Sequence, residues 1–212
     1  TVTALTAITT PASITSVSTI PGGNQHPRSL DAIAAAVPSA SDECDRLRAV
    51  VDVVVRHGVA APMIDMGVVR DDPVLLEQAF SKASETADVI ITSGGVSVGE
   101  ADFTKAMMKK LGDVAFWKIA MRPGRPMAVG RLGNCILFGL PGNPVAVMVT
   151  FLAFVKPALL QMMGGLLSSM PYLRAKSAVA LRKKPGRTEY QRGFVRTLPD
   201  GTLQVDAAGN QG

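Results

Sequence analysis

Three stretches of this chain set bare backbone amides, two of them with carboxylates beside, where a strand gives way to a helix, a junction suited to binding an anion. In the richest of them an apolar strand containing Val89, Ile90 and Ile91 runs into Thr92-Ser93-Gly94-Gly95-Val96-Ser97-Val98-Gly99-Glu100-Ala101-Asp102. Gly94, Gly95 and Gly99 let the backbone approach a ligand closely. The helix that follows offers unpaired amides and partial positive charge at its N-terminus. Asp102 stands where loop becomes helix, so a carboxylate shares the spot with the donors. An anion site with a carboxylate inside it implies a metal or another cationic partner. Taken alone, the same residues also suit a strand–helix turn whose glycines serve geometry only.

The second stretch is Val69-Arg70-Asp71-Asp72-Pro73. Asp72 before Pro73 reads as an N-cap with proline at the first helical position. That leaves Asp71 free, either as a site residue or as an ordinary turn carboxylate. The third is Gly139-Leu140-Pro141-Gly142-Asn143-Pro144, a backbone constrained by prolines and glycines ahead of a helix. In an open parallel sheet, ligands bind beyond the carboxyl ends of the strands, and all three loops leave that edge. Lys118, beside Trp117 at a strand end, and Arg122 and Arg125, around Pro123-Gly124, are candidate clamps for phosphate or another oxyanion. Arginine would grip it in two-pronged fashion, lysine as a point charge. The plainer alternatives are solvated surface arginines and an edge lysine with its stem laid on apolar surface.

Other chemistries fit poorly. Ser97 has no histidine partner by sequence logic, since only His26 and His57 exist, so a serine-nucleophile mechanism is set aside. A strict Gly-x-Gly-x-x-Gly and a Walker A sequence are both absent. Met107, Met108, Met162 and Met163 are most simply core filling.

The elements that must position these residues alternate between strand and helix from about residue 41. Ser41 caps a helix whose apolar face is Leu47, Val50, Val51, Val54 and Val55. Residues 63–66 read as a strand, followed after Pro73 by a helix burying Leu75, Leu76, Ala79, Phe80 and Ala83. A strand at 88–92 leads through the glycine loop to a helix with Phe103, Met107, Met108 and Leu111. Strands follow at 114–119, 127–131 and 134–138, and then a long helix at 144–163 bent at Pro157. The expectation is a three-layer α/β fold, a mostly parallel sheet with helices on both faces, spanning residues 41–166. Residues 1–40 are set apart as a segment of Thr, Ser, Ala and Pro with little charge, read as poorly ordered or as a strand. Residues 171–212 change style to short alternating strands at 175–181, 190–197 and 203–207, an incomplete small β-barrel-like domain.

Size and composition agree with one such domain plus an appendage. The chain has 212 residues, 47% of them hydrophobic, and a formal net charge of +5, an excess that is mild and spread out apart from Arg182, Lys183, Lys184 and Arg187. Few aromatics and no stacking platform disfavour nucleic acid, while a phosphorylated small molecule fits. Cys44 and Cys135 lack the spacing of a zinc site or a disulfide framework. Residues 1–20 carry no charge and so lack a basic signal region. The longest apolar run, residues 145–155, is too short to span a bilayer. No membrane partner and a cytoplasmic location are expected.

Taken together in their order and spacing, the Thr92 to Lys105 stretch, the Phe116-Trp117-Lys118 to Pro126 segment and Gly139-Leu140-Pro141-Gly142-Asn143-Pro144 resemble the molybdopterin-binding domain of the molybdopterin molybdenumtransferases. Arg70-Asp71-Asp72-Pro73 also fits, and Lys183-Lys184-Pro185-Gly186-Arg187 with Tyr190-Gln191-Arg192-Gly193 resembles the start of that family's C-terminal domain. The resemblance implies molybdenum insertion: adenylylated molybdopterin and molybdate are substrates, molybdenum cofactor and AMP are products, and Mg²⁺ is the cofactor. By matched motif, Asp71 and Asp102 would hold the metal and molybdate. Lys118 and Arg122 would hold molybdate or phosphate, with Arg122 in place of a lysine common in the family. The loops containing Ser93, Gly94, Gly95, Ser97 and Gly99, and Pro141, Gly142, Asn143 and Pro144, would cradle the pterin phosphate, and Arg192 would reach in from the C-terminal part.

Two features depart from the family pattern. Residues 1–44 show neither the family's further N-terminal domains nor its Thr-Gly-Asp-Glu-Leu-type strand, and the C-terminal part stops at Gly212, so the chain reads as truncated. A homodimer and a contact with the preceding adenylyltransferase are further implications. The alternatives are a module that holds molybdopterin without chemistry, and a molybdopterin adenylyltransferase on the same fold, against which residues 173–212 count.

Overall fold

Strand β3 (Val89–Ser93) is buried at all five positions, which only a strand covered on both faces can be. Its side chains alternate between two apolar clusters: Val89 and Ile91 join one, Ile90 the other. The computed structural model that reveals this describes residues 2–8, 63–70, 72–94, 103–165, 173–183 and 185–208. The helix expected from Ser41 onward lies outside the described residues.

On one face lie α1 (Pro73–Thr86) and α2 (Phe103–Leu111). From α1, Leu76, Phe80 and Ala83 pack with Met107 and Met108 of α2, while Leu75 stays exposed. The other face is covered by α3 (Pro144–Thr150), a wider π-helical turn at Phe151–Val155, and α4 (Lys156–Met162). Val147, Phe151, Val155 and Leu159 recur every fourth residue and form the buried stripe. Pro157 falls just after the π turn, where the Lys156 N–H donates to the Phe151 carbonyl five residues back. Proline has no N–H and its ring crowds the preceding turn. Pro144–Met162 is long and apolar enough to cross a membrane by length and composition, yet it lays that stripe on the sheet.

The main sheet has six strands in the order β2-β1-β3-β7-β6-β4. They are β1 (Val2–Ile8), β2 (Met63–Arg70), β3, β4 (Asp113–Lys118), β6 (Pro126–Leu132) and β7 (Cys135–Leu140). The α/β class holds, but the mostly parallel sheet does not. Only β3 and β7 pair in parallel, and the other four pairings are antiparallel. The reason is loop length. Two residues, Gly133 and Asn134, separate β6 from β7, and a connection that short can only make a hairpin. Even so, β2, β3, β7 and β4 all run the same way, with β1 and β6 reversed between them.

Residues 2–8, part of the segment read as poorly ordered or as a strand, form the strand inserted between β2 and β3. Thr6 pairs with both Asp65 and Ile91, so the first residues of the chain sit inside the sheet.

Beyond residue 172, β8 (Lys176–Ser177), β10 (Gly193–Thr197) and β11 (Leu203–Ala207) form an open three-stranded sheet in the order β10-β11-β8. The β-barrel-like expectation is therefore corrected: no closed barrel exists among the described residues. The turn before β11 is set by Asp200, whose Oδ1 accepts from the Thr202 N–H at 2.9 Å. The remaining pair joins the two parts. β5 (Met121–Arg122) and β9 (Thr188–Glu189) run parallel, with the Thr188 N–H donating to the Ala120 carbonyl and the Tyr190 N–H to the Arg122 carbonyl, both at 2.8 Å.

Candidate functional site

Because β2, β3, β7 and β4 share a direction, their carboxyl ends meet at one edge of the sheet, and the register shows which residues line up there. Lys118 pairs with Pro126, Ala128 with Gly139, and Leu140 with Ser93. Extending these ladders past their last pairs sets Pro126 beside Pro141 and Pro141 beside Gly94. One row thus crosses four strands from the lysine to the glycine loop. The row spans roughly 14 Å at the usual spacing between neighbouring strands. Arg70 ends β2 at the same edge, two strands beyond β3.

The glycine loop leaves β3 through Ser93 and Gly94. Gly94 has φ of +88° and donates its N–H to the Leu140 carbonyl at 3.2 Å. A side chain is disfavoured at that φ. A Cβ on Gly142 would sit 3.9 Å from the Gly94 Cα, so the first and third candidate loops touch. Ser93 and Thr92 are both buried, and among the described residues neither hydroxyl has a hydrogen-bond partner. A buried polar group with no partner is uncommon, and at a loop junction it marks a place where a ligand can complete the bonding. Thr92 was not among the residues singled out from sequence. Its alternation to the face opposite Ser93 becomes informative only once both faces are known to be covered.

Gly95, Ser97, Gly99 and Asp102 lie outside the described residues, as does Asp71. The rim that is described carries no carboxylate free for a metal. Asp72 accepts from the N–H groups of Val74 and Leu75 at 2.9 and 3.0 Å, as its position before Pro73 predicts. Among the described residues no three His, Cys, Asp or Glu side chains gather into a potential metal site.

Asn143 plays the same capping part at α3. Its Oδ1 accepts from the Val145 and Ala146 N–H groups at 3.0 and 3.2 Å, behind Pro144 at the first position. The Val147 N–H is taken by the Asn143 carbonyl. The first-turn amides are therefore already satisfied, and what this terminus can offer an anion is its dipole and the Asn143 side-chain NH₂.

The cations sit on a turn pinned to α3. After β4 the chain folds back so that the Ile119 N–H donates to the Arg125 carbonyl at 2.8 Å. Gly124, at φ of +95°, presses on the helix: an added Cβ would lie 2.5 Å from Thr150 Cγ2 and 3.7 Å from the Ala146 carbonyl. Thr150 is itself held, its buried hydroxyl donating to the Ala146 carbonyl at 2.7 Å. Arg122 and Arg125 flank this contact and are exposed, as is Lys118. Among the described residues none of the three is engaged in an ion pair. Arg192 is half-buried just before β10, two residues past the Tyr190–Arg122 hydrogen bond, and its carbonyl accepts from the Ala208 N–H at 2.9 Å.

The structure therefore brings Ser93, Gly94, Lys118, Pro141, Gly142, Asn143 and Pro144 to one edge, with the Arg122 turn packed beside it. Arg122 also lines a separate basic cleft with Arg182, Lys183, Arg187 and Glu189, which sequence reasoning missed as a site. The cluster of basic residues was visible as a run, but its apposition to Arg122 depends on the β5–β9 pairing.

Known proteins resemble this chain in sequence and in fold. A curated molybdopterin molybdenumtransferase of Haemophilus influenzae is 46% identical over 151 residues, covering 71% of this chain and 37% of the relative. One from Nostoc sp. is 36% identical, covering 73% and 36%. The chain thus spans little more than a third of the length of these relatives. Among solved structures, a molybdenum cofactor biosynthesis protein from Pyrococcus furiosus superposes with a TM-score of 0.55 at 27% identity, covering 76% of this chain and 50% of that one. A molybdopterin biosynthesis moea protein from Pyrococcus horikosii gives 0.50 at 27% identity, covering 68% and 34%. The family model described as the probable molybdopterin binding domain matches residues 45–161, the stretch that carries the glycine loop, the cation turn and the Pro-Gly-Asn-Pro cap, and the chain belongs to that family.

Proposed function

We propose that this chain carries the centre at which molybdenum is inserted into adenylylated molybdopterin, giving molybdenum cofactor and AMP. The observation that supports this most is the row across the sheet edge. A pterin phosphate needs close backbone approach, which Gly94 and Gly142 permit. An incoming tetrahedral oxyanion needs fixed positive charge, which Lys118 and Arg122 supply, with Arg192 approaching from the C-terminal module. The hydroxyl of Ser93 would donate to the ligand at the β3 end. Release of AMP breaks a phosphoanhydride bond, so charge that develops on the leaving phosphate must be met by preset cations.

Mg²⁺ would be held by Asp71 and Asp102, and when bound it would neutralise part of that phosphate charge. Lys118 and Arg122 would screen the oxyanion and the phosphate from each other, allowing both to occupy one rim. The test is to incubate the purified chain with adenylylated molybdopterin, Mg²⁺ and molybdate and to measure AMP. Lys118→Ala should slow release by about 100-fold, the scale of removing one charge-stabilising group. Asp102→Asn should lower release far more than pterin affinity, and an equal loss of both would count against its metal role.

A second reading is that the chain holds molybdopterin without performing chemistry. Pterin binding with no AMP released under the same conditions would select it.

A further inference from the structure

The C-terminal module leaves one strand edge open. β10 ends the three-stranded sheet and pairs with β11 alone among the described residues. The Ala208 N–H donates to the Arg192 carbonyl and the Leu198 N–H to the Thr202 carbonyl, which places the even-numbered residues in the hydrogen-bonded pairs with β11. The N–H and C=O groups of Gly193, Val195 and Thr197 therefore point away from the sheet, without a partner among the described residues. The strand carries no proline, lysine or bulge to blunt this edge, and Phe194 and Val195 are 61% and 58% exposed. An edge left so open is a template for another strand.

The strand that fits it is β10 of a second copy. In an antiparallel pair about a two-fold axis every residue keeps its face of the sheet, so only positions of equal parity can stand opposite. The outward groups of the odd-numbered residues then meet one another, as hydrogen bonding requires. Three registers keep most of the strand paired. Centring on Phe194 sets Arg196 opposite Arg192, and centring on Arg196 sets it opposite itself. Like charges directly opposite are destabilising. Centring on Val195 opposes none: Val195 meets its own copy, Gly193 meets Thr197, and Phe194 faces Arg196 twice, at the closer non-hydrogen-bonded positions. Arg196 is already held on that face, its Nε and Nη2 donating to Gln204 Oε1 at 3.0 and 2.7 Å, with Asp206 Oδ2 3.2 Å from Nε. A fixed guanidinium beside an exposed ring makes a favourable cation–π pair.

We propose that two copies of this chain associate through β10, in the register centred on Val195, and join their modules into one continuous sheet in the order β8-β11-β10-β10-β11-β8. The outer edges of that sheet are the two-residue β8 strands, too short to recruit a further copy, so assembly stops at two. The interface is small, which makes the association weak and dependent on concentration. It does not rest on the proposed molybdenum insertion.

Sedimentation equilibrium of the full chain from about 10 µM to about 1 mM tests it, and monomer should give way to dimer across that range. Val195→Pro removes an outward N–H that β11 does not use, so it should weaken association by about tenfold or more while the chain stays folded. Single cysteines in a Cys44→Ser background read the register even if the proline variant fails to fold. On mild oxidation with diamide, Val195→Cys should link two chains, because it faces itself with about 5.5 Å between Cα atoms. Thr197→Cys, which faces Gly193, should link at least about tenfold more slowly. The proposal is overturned if the chain stays monomeric throughout, if folded Val195→Pro dimerises as strongly as the parent, or if Thr197→Cys links as fast as Val195→Cys.

Discussion

The α/β part and the C-terminal module differ in what holds them and in what they carry. Every buried apolar side chain among the described residues falls between positions 76 and 159. Residues 173–208 bury none fully, and leave Leu173, Val179, Phe194 and Val195 more than half exposed. Charge divides the other way. Residues 173–208 hold eight Lys and Arg against three Asp and Glu, a surplus equal to the +5 of the whole chain, so the rest is balanced. One part is a scaffold stabilised by apolar burial, and the other presents charge and is located by backbone pairing to the Arg122 turn. A strand pair of two residues suffices to aim such a module, though a module this small has too little interior to be stable on its own account.

The contrast can be broken most sharply at two phenylalanines. Phe151→Ala, in the buried stripe, should destabilise the chain by about 3–5 kcal/mol in urea unfolding, whereas Phe194→Ala, 61% exposed, should stay within about 0.5 kcal/mol. Equal losses would mean that the module has an interior of its own. Next in size is the turn that joins the parts. Gly124→Ala puts a Cβ against Thr150 at a strained φ and should cost about 1–3 kcal/mol. If AMP release is established, it should fall along with stability, because Arg122 and Arg125 move with the turn. Removing a cap is smaller: Asn143→Ala and Asp72→Ala should each lower stability by about 1 kcal/mol.

The smallest effects are those of pH, and they too separate the regions. In the scaffold, burial and then the Asp88 charge push the Cys135 thiol up to about 11 from 9.0. The folded chain therefore keeps that proton more tightly than the unfolded chain does. The contribution is complete below pH 9 and is lost as pH rises towards 11, a decline that Cys135→Ala should flatten. In the module, the Thr202 N–H lowers the pKa of exposed Asp200 from 3.8. Its contribution is present above that value and fades as acid takes the pH through the folded-state pKa. Asp200→Asn should abolish only this acid limb.

Features that depend on neighbouring residues were readable from sequence. Asp72-Pro73 and Asn143-Pro144 do cap helices, and the positive φ of Gly94 follows from a strand that must turn at once into a loop. Strand direction was partly hidden. The periodicity of β6 and β7 says nothing of orientation, and only the two-residue Gly133-Asn134 link betrays it. The strand at residues 2–8 was barely visible: Val2, Leu5 and Ile8 do not keep a period of two, and the segment's place comes from partners 59 and 85 positions away, as with Thr6, Asp65 and Ile91. The row from Lys118 to Gly94 required the full register. The cleft around Glu189 required the two-residue pairing that no local signal announces. Asp71 and Asp102, the acids on which the sequence argument leaned most, lie outside the described residues.

Strand β1 has a practical consequence. With β1 between β2 and β3, residues 2–8 behave as a keystone, and removing them would split the sheet into two pieces with raw edges. A preparation clipped between β1 and β2 that loses residues 2–8 should clump through those newly bared strands.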